Sequence, residues 1–183
     1  FIVDPAGLVM TNQHVIGPSE LISIQFDARR KVAAKVLAFD SEKDVAVLYA
    51  NFSAFPDFLA APISTGQVDH PLAVEGERVF SIGSPLRLEK IITSGIVSKV
   101  KERAIISDVN INHGNSGGPL FNSLGEVIGI TTFLVPGGNG PGVSGVIRID
   151  QALPTLEQAR KKMGDVSIPD SRLLPVEPIN PYP

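Results

Sequence analysis

From its first residue to about residue 150, the chain is written in short apolar runs broken by turn residues. A helical domain would show apolar residues every three or four positions over ten or more residues. Here the runs have strand length, alternate or stay continuous, and are bounded by Gly, Pro, Asn, Asp and Ser, which predicts an all-β chain. Residues 21–26 alternate as a half-buried strand does, and strands are expected at 31–39, 45–49 and 78–82. The second half repeats the pattern at 91–100, 104–109, 119–122, 127–133 and 143–149. Asp4-Pro5-Ala6-Gly7 and Ser123-Leu124-Gly125-Glu126 read as hairpin connections, since glycine and aspartate supply the backbone angles that tight turns need. Residues 50–77, richer in Pro, Gly and polar side chains, predict a long loop. One segment departs from the pattern. Residues 152–162 place Leu153, Leu156 and Ala159 at helical spacing, with Pro154 expected in the first turn and Gly164 as the stop. Five prolines between Pro169 and Pro183 then predict an extended tail.

Gly114-Asn115-Ser116-Gly117-Gly118-Pro119-Leu120 places one serine among glycines, in a run unsuited to helix or strand. Glycine tolerates positive φ and close backbone approach, so such a loop can aim its own N–H groups at a bound oxygen. By itself the segment also fits, as the lesser reading, an ordinary tight turn. A nucleophilic serine also needs a general base, and a carboxylate to hold that base in one tautomer. Of the three histidines, His14 lies in Thr11-Asn12-Gln13-His14-Val15-Ile16, whereas His70 precedes Pro71 in a polar loop. His113 stands three residues before Ser116, where its backbone would point it away from the hydroxyl. Asp44 opens Asp44-Val45-Ala46-Val47-Leu48, and an acid ahead of such an apolar run is costly unless paired. The chain order is therefore His, Asp, Ser, the order found on chymotrypsin-type barrels and not on α/β-hydrolases or subtilisins.

These segments resemble the HtrA (Deg) family of trypsin-like serine endopeptidases over roughly residues 1–150. The likeness also rests on Ile82-Gly83-Ser84-Pro85-Leu86, Thr93-Ser94-Gly95-Ile96-Val97-Ser98 and Gly125-Glu126-Val127-Ile128-Gly129-Ile130. It implies a chymotrypsin/trypsin-like double antiparallel β-barrel with a C-terminal helix and an extended tail. The implied division is a first lobe at 1–78 with His14 and Asp44, a second at 79–150 with Ser116, a helix at 151–164 and a tail at 165–183. Phe1-Ile2-Val3 reads as mid-strand, so the first barrel strand is expected to be truncated. The resemblance further implies a serine endopeptidase acting on unfolded or damaged proteins, with His14, Asp44 and Ser116 catalytic and the backbone N–H groups of Gly114, Asn115 and Ser116 as the oxyanion hole. By position, Ile111, Leu134 and Val135 would line the S1 pocket. No acid stands among them, so small aliphatic P1 residues are expected rather than Lys or Arg. Thr131, Thr132 and Phe133 would pair main chain to main chain with an extended substrate. A proline commonly stands where His113 is found, and the loop it opens can switch between active and inactive arrangements in this family. No PDZ-like segment follows residue 150, so the chain reads as a protease-domain fragment or a member without that domain.

Composition narrows the partners. A net charge of −3 and the lack of Lys/Arg clusters argue against a nucleic-acid surface. No apolar run has the length of a membrane span. With no cysteine there are no disulfides, which suits a cytosolic protein or a periplasmic one that does without bridges; the resemblance favours a periplasmic, secreted or cell-envelope location. Pro136-Gly137-Gly138-Asn139-Gly140-Pro141-Gly142 lacks the Lys-Ser/Thr ending of a phosphate-binding loop, and neither a cofactor nor a metal is expected. Polypeptide substrates are the expected partners, together with a homo-oligomer, since proteases resembling this one are often trimers. The alternatives are a proteolytically silent relative that binds peptides as a chaperone or scaffold, and an esterase-like acyl-transfer enzyme with the same three groups.

Overall fold

In the computed structural model, residues 1–19, 22–27, 29–53, 57–84, 90–111, 114–132, 144–167 and 174–175 are described. They form two compact units, residues 1–61 with 154–183, and residues 62–153. The predicted β character holds through both.

In the first unit, β1 (Ile2–Asp4), β2 (Leu8–Thr11), β3 (Ile22–Gln25), β4 (Lys31–Asp40) and β5 (Val45–Ala50) make an antiparallel sheet in the order β1-β2-β5-β4-β3. The first expected hairpin turn is present: Gly7, at φ 117, donates its N–H to Asp4 O at 3.0 Å. β3 alternates half-buried and exposed positions, as its sequence pattern requires, whereas all six residues of β5 are buried. A strand whose two neighbours flank it and whose faces are both covered is apolar throughout, which explains the continuous Val-Ala-Val-Leu run. Val9, Val32, Ala34, Leu48, Ala50 and Phe52 form the core of this unit. Phe26 and Phe58 pack beside it, their rings 4.4 Å apart between centroids, and Phe26 meets Phe52 edge-on at 5.4 Å.

In the second unit, β6 (Arg78–Gly83), β7 (Ile91–Val100), β8 (Ala104–Ser107), β9 (Pro119–Phe121), β10 (Val127–Thr132) and β11 (Ser144–Arg148) close into a barrel in the order β10-β11-β8-β7-β6-β9. A register shift between Val97 and Lys99 bends β7, the kind of irregularity that lets a sheet curl. The short β9 completes the ring by pairing with both β6 and β10. The β9–β10 connection is the expected hairpin: Asn122 Oδ1 accepts from Leu124 N and Glu126 N, and Gly125 turns at φ 78.

Two boundaries differ from the sequence expectation. The unit division falls at 61/62 rather than 78, because residues 62–77 are hydrogen-bonded to the barrel: Val127 N donates to Pro62 O at 2.8 Å, Ser64 N to Val127 O at 3.0 Å and Gly76 N to Val97 O at 2.8 Å. The C-terminal helix, α2 (Ile149–Lys162), begins three residues before the expected Ala152 and follows β11 without a loop. Pro154 therefore sits in the second turn, where it removes the N–H that would bond Asp150 O, not in the first turn where that loss is harmless. Its buried stripe is Ile149, Ala152, Leu156 and Ala159, with Leu153 only half-buried. Gly164 lies inside a 3-10 turn, Met163–Asp165, rather than just beyond the helix end. The later turns of α2 are tied to the first unit by Arg160 to Asp4 and by Lys162 Nζ donating to Leu37 O at 2.8 Å.

Candidate active site

In the first unit, sheet register brings together residues thirty positions apart. Thr11, the last residue of β2, pairs with Ala46 of β5, so the residues just after β2 meet those just before β5. After β2 the chain makes one helical turn, α1 (Gln13–Ile16), which Gly17 ends at φ 55. This turn was not anticipated from the sequence. It places the N–H and the ring of His14 on the same carboxylate. Asp44 Oδ1 accepts from His14 N at 2.9 Å, and Asp44 Oδ2 lies 2.7 Å from His14 Nδ1. With a carboxylate as partner, Nδ1 carries the proton and Nε2 keeps a lone pair, the form required of a general base.

Asp44 reaches this position through a turn that its neighbours prepare. Asp40 Oδ1 accepts from Glu42 N and Lys43 N, both at 3.0 Å, and the chain then passes through Asp44 at φ 56. Left-handed backbone is uncommon for non-glycine residues, and short polar side chains such as aspartate tolerate it best. The carboxylate is partly exposed rather than buried, with 23% of the side chain accessible against 30% for His14.

Asn12 supplies a support to which the sequence reading assigned no role. It stands at the N-cap position of α1, yet its side chain makes no capping bond. Instead Nδ2 donates to the Asp44 carbonyl at 2.9 Å, and the residue is fully buried. A carboxamide directly after an apolar strand was the available signal. Replacing Asn12 with alanine removes that bond and should cost about 1–2 kcal/mol. At this chain length Tm should fall by roughly 2–8 °C, readable in a thermal melt. An unchanged melt would show that the bond does not hold the turn.

In the second unit, Ser116 lies in a four-residue turn, residues 114–117, that leads into β9. Gly114 at φ 100 and Gly117 at φ 79 take backbone angles that side chains resist. The Gly114 carbonyl accepts from Ser84 N at 3.1 Å, and Gly117 N donates to Thr131 O at 2.9 Å. Asn115 is buried, its Nδ2 donating to Asn110 O at 3.2 Å, and its side chain fills the space a Cβ on Gly83 would need. Among the described residues the Ser116 N–H has no hydrogen-bond acceptor.

Of the other expected site residues, Ile111 is buried in this unit. Phe133, Leu134 and Val135 lie outside the described residues, as do His113 and the 136–142 glycine segment. Thr131 was expected to pair with substrate, but its N–H donates to Gly118 O and its C=O accepts from Gly117 N, both at 2.9 Å. Its backbone is thus committed within the fold because β10 runs beside the serine turn. Thr132 is buried and paired with Gly145 of β11.

A model of the trypsin-like peptidase domain matches residues 1–130. A probable periplasmic serine endoprotease, DegP-like, of Pseudomonas savastanoi is 38% identical over 177 residues, 91% of this chain and 35% of that protein. A DegP-like protein of Hahella chejuensis, also described as a probable periplasmic serine endoprotease, is 38% identical over 170 residues, covering 87% of this chain and 34% of its own. The chain thus spans about a third of the length of the curated relatives it matches. The crystal structure of the serine endoprotease from Yersinia pestis superimposes with a TM-score of 0.75 at 30% identity, covering 87% of this chain and 56% of that one.

Proposed function

Because the chain belongs to the trypsin-like peptidase family and carries an HtrA/Deg-type protease domain, we propose that it is a serine endopeptidase of unfolded polypeptides using Ser116, His14 and Asp44. The observation that carries this reading is the double hold of Asp44 on His14, which leaves Nε2 as a base. Ser116 Oγ attacks the peptide carbonyl while His14 Nε2 takes its proton. Asp44 stabilises the imidazolium, and the backbone N–H groups of Gly114 and Ser116 receive the negative charge on the carbonyl oxygen. Collapse of the tetrahedral intermediate breaks the C–N bond, and His14 gives its proton to the leaving amine. Water, deprotonated by His14, then attacks the acyl ester and releases Ser116 with its proton restored.

Specificity for small aliphatic P1 residues such as Val, Ala or Ile is part of the proposal. It is supported by the apolar Ile111 and by the lack of an acid at positions 111, 134 and 135. The names of the relatives support a periplasmic site of action.

The test is labelling with a fluorophosphonate, with the modified peptide located by mass spectrometry, alongside digestion of unfolded casein. Modification at Ser116, and casein fragments ending in small aliphatic residues, are the expected results. Casein bound but uncut, with no label on Ser116, would replace this reading by the peptide-binding scaffold.

A further inference from the structure

Thr131 sits in β10 between β9 and β11, fully buried, and three of its polar groups face the serine turn. Its N–H and C=O bond Gly118 and Gly117, as described above. Its hydroxyl donates to the Asn115 carbonyl, with Gly118 O as a second, longer contact at 3.2 Å. The same Asn115 carbonyl accepts the N–H of Gly118 at 2.9 Å. In a trans peptide the carbonyl and the following N–H point in opposite directions. Two donors on Asn115 C=O therefore aim the Ser116 N–H away from the barrel wall, where no described residue accepts it.

We propose that Thr131 is a positioning residue: its hydroxyl holds the Asn115–Ser116 peptide in the orientation that gives the Ser116 N–H to the oxyanion. This deepens the endopeptidase reading and rests on it. The other holds near this peptide are the Gly118 N–H on the same carbonyl and the buried Asn115 side chain on Asn110 O, while Gly114 and Gly117 on either side allow its plane to turn. Threonine suits the task, since a β-branched residue in a central strand has a stiff χ1 and presents its hydroxyl at a fixed point. Preorganised donors matter because they do not have to reorient as charge develops on the oxygen.

The test uses Thr131→Val, Thr131→Ala and Thr131→Ser in the whole chain. For the valine and alanine variants kcat should fall about 10–100-fold, somewhat less than for outright loss of an oxyanion donor. KM should stay within about twofold, because an interaction made only in the transition state lowers kcat alone. Thr131→Ser should recover most of the rate. Amide hydrogen exchange at Gly118 should quicken in the valine and alanine variants, since their turn loses the second donor on Asn115 C=O. Exchange at Gly118 that stays at the native rate in both variants would overturn the proposal, whatever happens to activity. So would a serine variant as slow as the valine one, which would assign the effect to packing. If the native chain shows no Ser116 labelling, the endopeptidase reading fails, and exchange at Gly118 still decides whether Thr131 holds the turn.

Discussion

Replacing His14 with alanine is expected to lower kcat about 10⁶-fold, the scale of loss when the base of a serine triad is removed. The effect should be confined to chemistry. The His14 side chain is 30% exposed and anchors no part of the core, and its backbone N–H to Asp44 Oδ1 survives the substitution. The fold should therefore melt near the native temperature while peptide hydrolysis and fluorophosphonate labelling of Ser116 both disappear. A variant that kept more than a tenth of the native rate would place the base elsewhere. His70 offers no ready replacement: it is exposed and bonded to Gln67 through its backbone, outside the Asp44 pair.

The second large effect is at Asp44. Asp44→Asn should lower kcat about 10⁴-fold with little change in stability, and the geometry explains why the isosteric change is so damaging. Asp44 Oδ1 accepts the His14 main-chain N–H, so an asparagine must keep its carbonyl oxygen there. Its NH₂ is then turned toward His14 Nδ1, 2.7 Å away in the native protein. A donor at that point forces Nδ1 to accept and moves the proton to Nε2, which can no longer take one from serine. Nitrogen chemical shifts of His14 should report this change of tautomer directly. A variant with Nδ1 still protonated and a rate within tenfold of native would refute the assignment of Asp44 as the orienting acid.

Much of this was legible without coordinates. Strand positions follow from runs of β-branched and apolar residues between turn formers, so 91–100 was placed to the residue and 78–82 fell one short of β6. The hairpins at Gly7 and Gly125 were legible because only a few residues accept the required φ. The start of α2 was misplaced for a related reason. Pro154 is locally informative and suggested a helix N-terminus, but the stripe beginning at Ile149 outweighs the single missing bond. Motif and chain order point to His14, Asp44 and Ser116 as the proposed triad, whereas nothing in them points to Asn12 or the Thr131 hydroxyl. Each of these two acts on a main-chain carbonyl distant in sequence, and such a contact leaves no local pattern.

By itself, the sequence determined the β segmentation and the turn chemistry around the three groups proposed as reactive. These depend on propensity and on the φ demands of single residues, which neighbours along the chain decide. Only the tertiary structure decided how those groups are held. The pairing of Thr11 with Ala46 puts His14 against Asp44, and the closure of the barrel lays Thr131 beside the serine turn. Those contacts depend on strand register, which the burial of whole sheet faces sets, and a shift of one residue would turn each side chain to the other face.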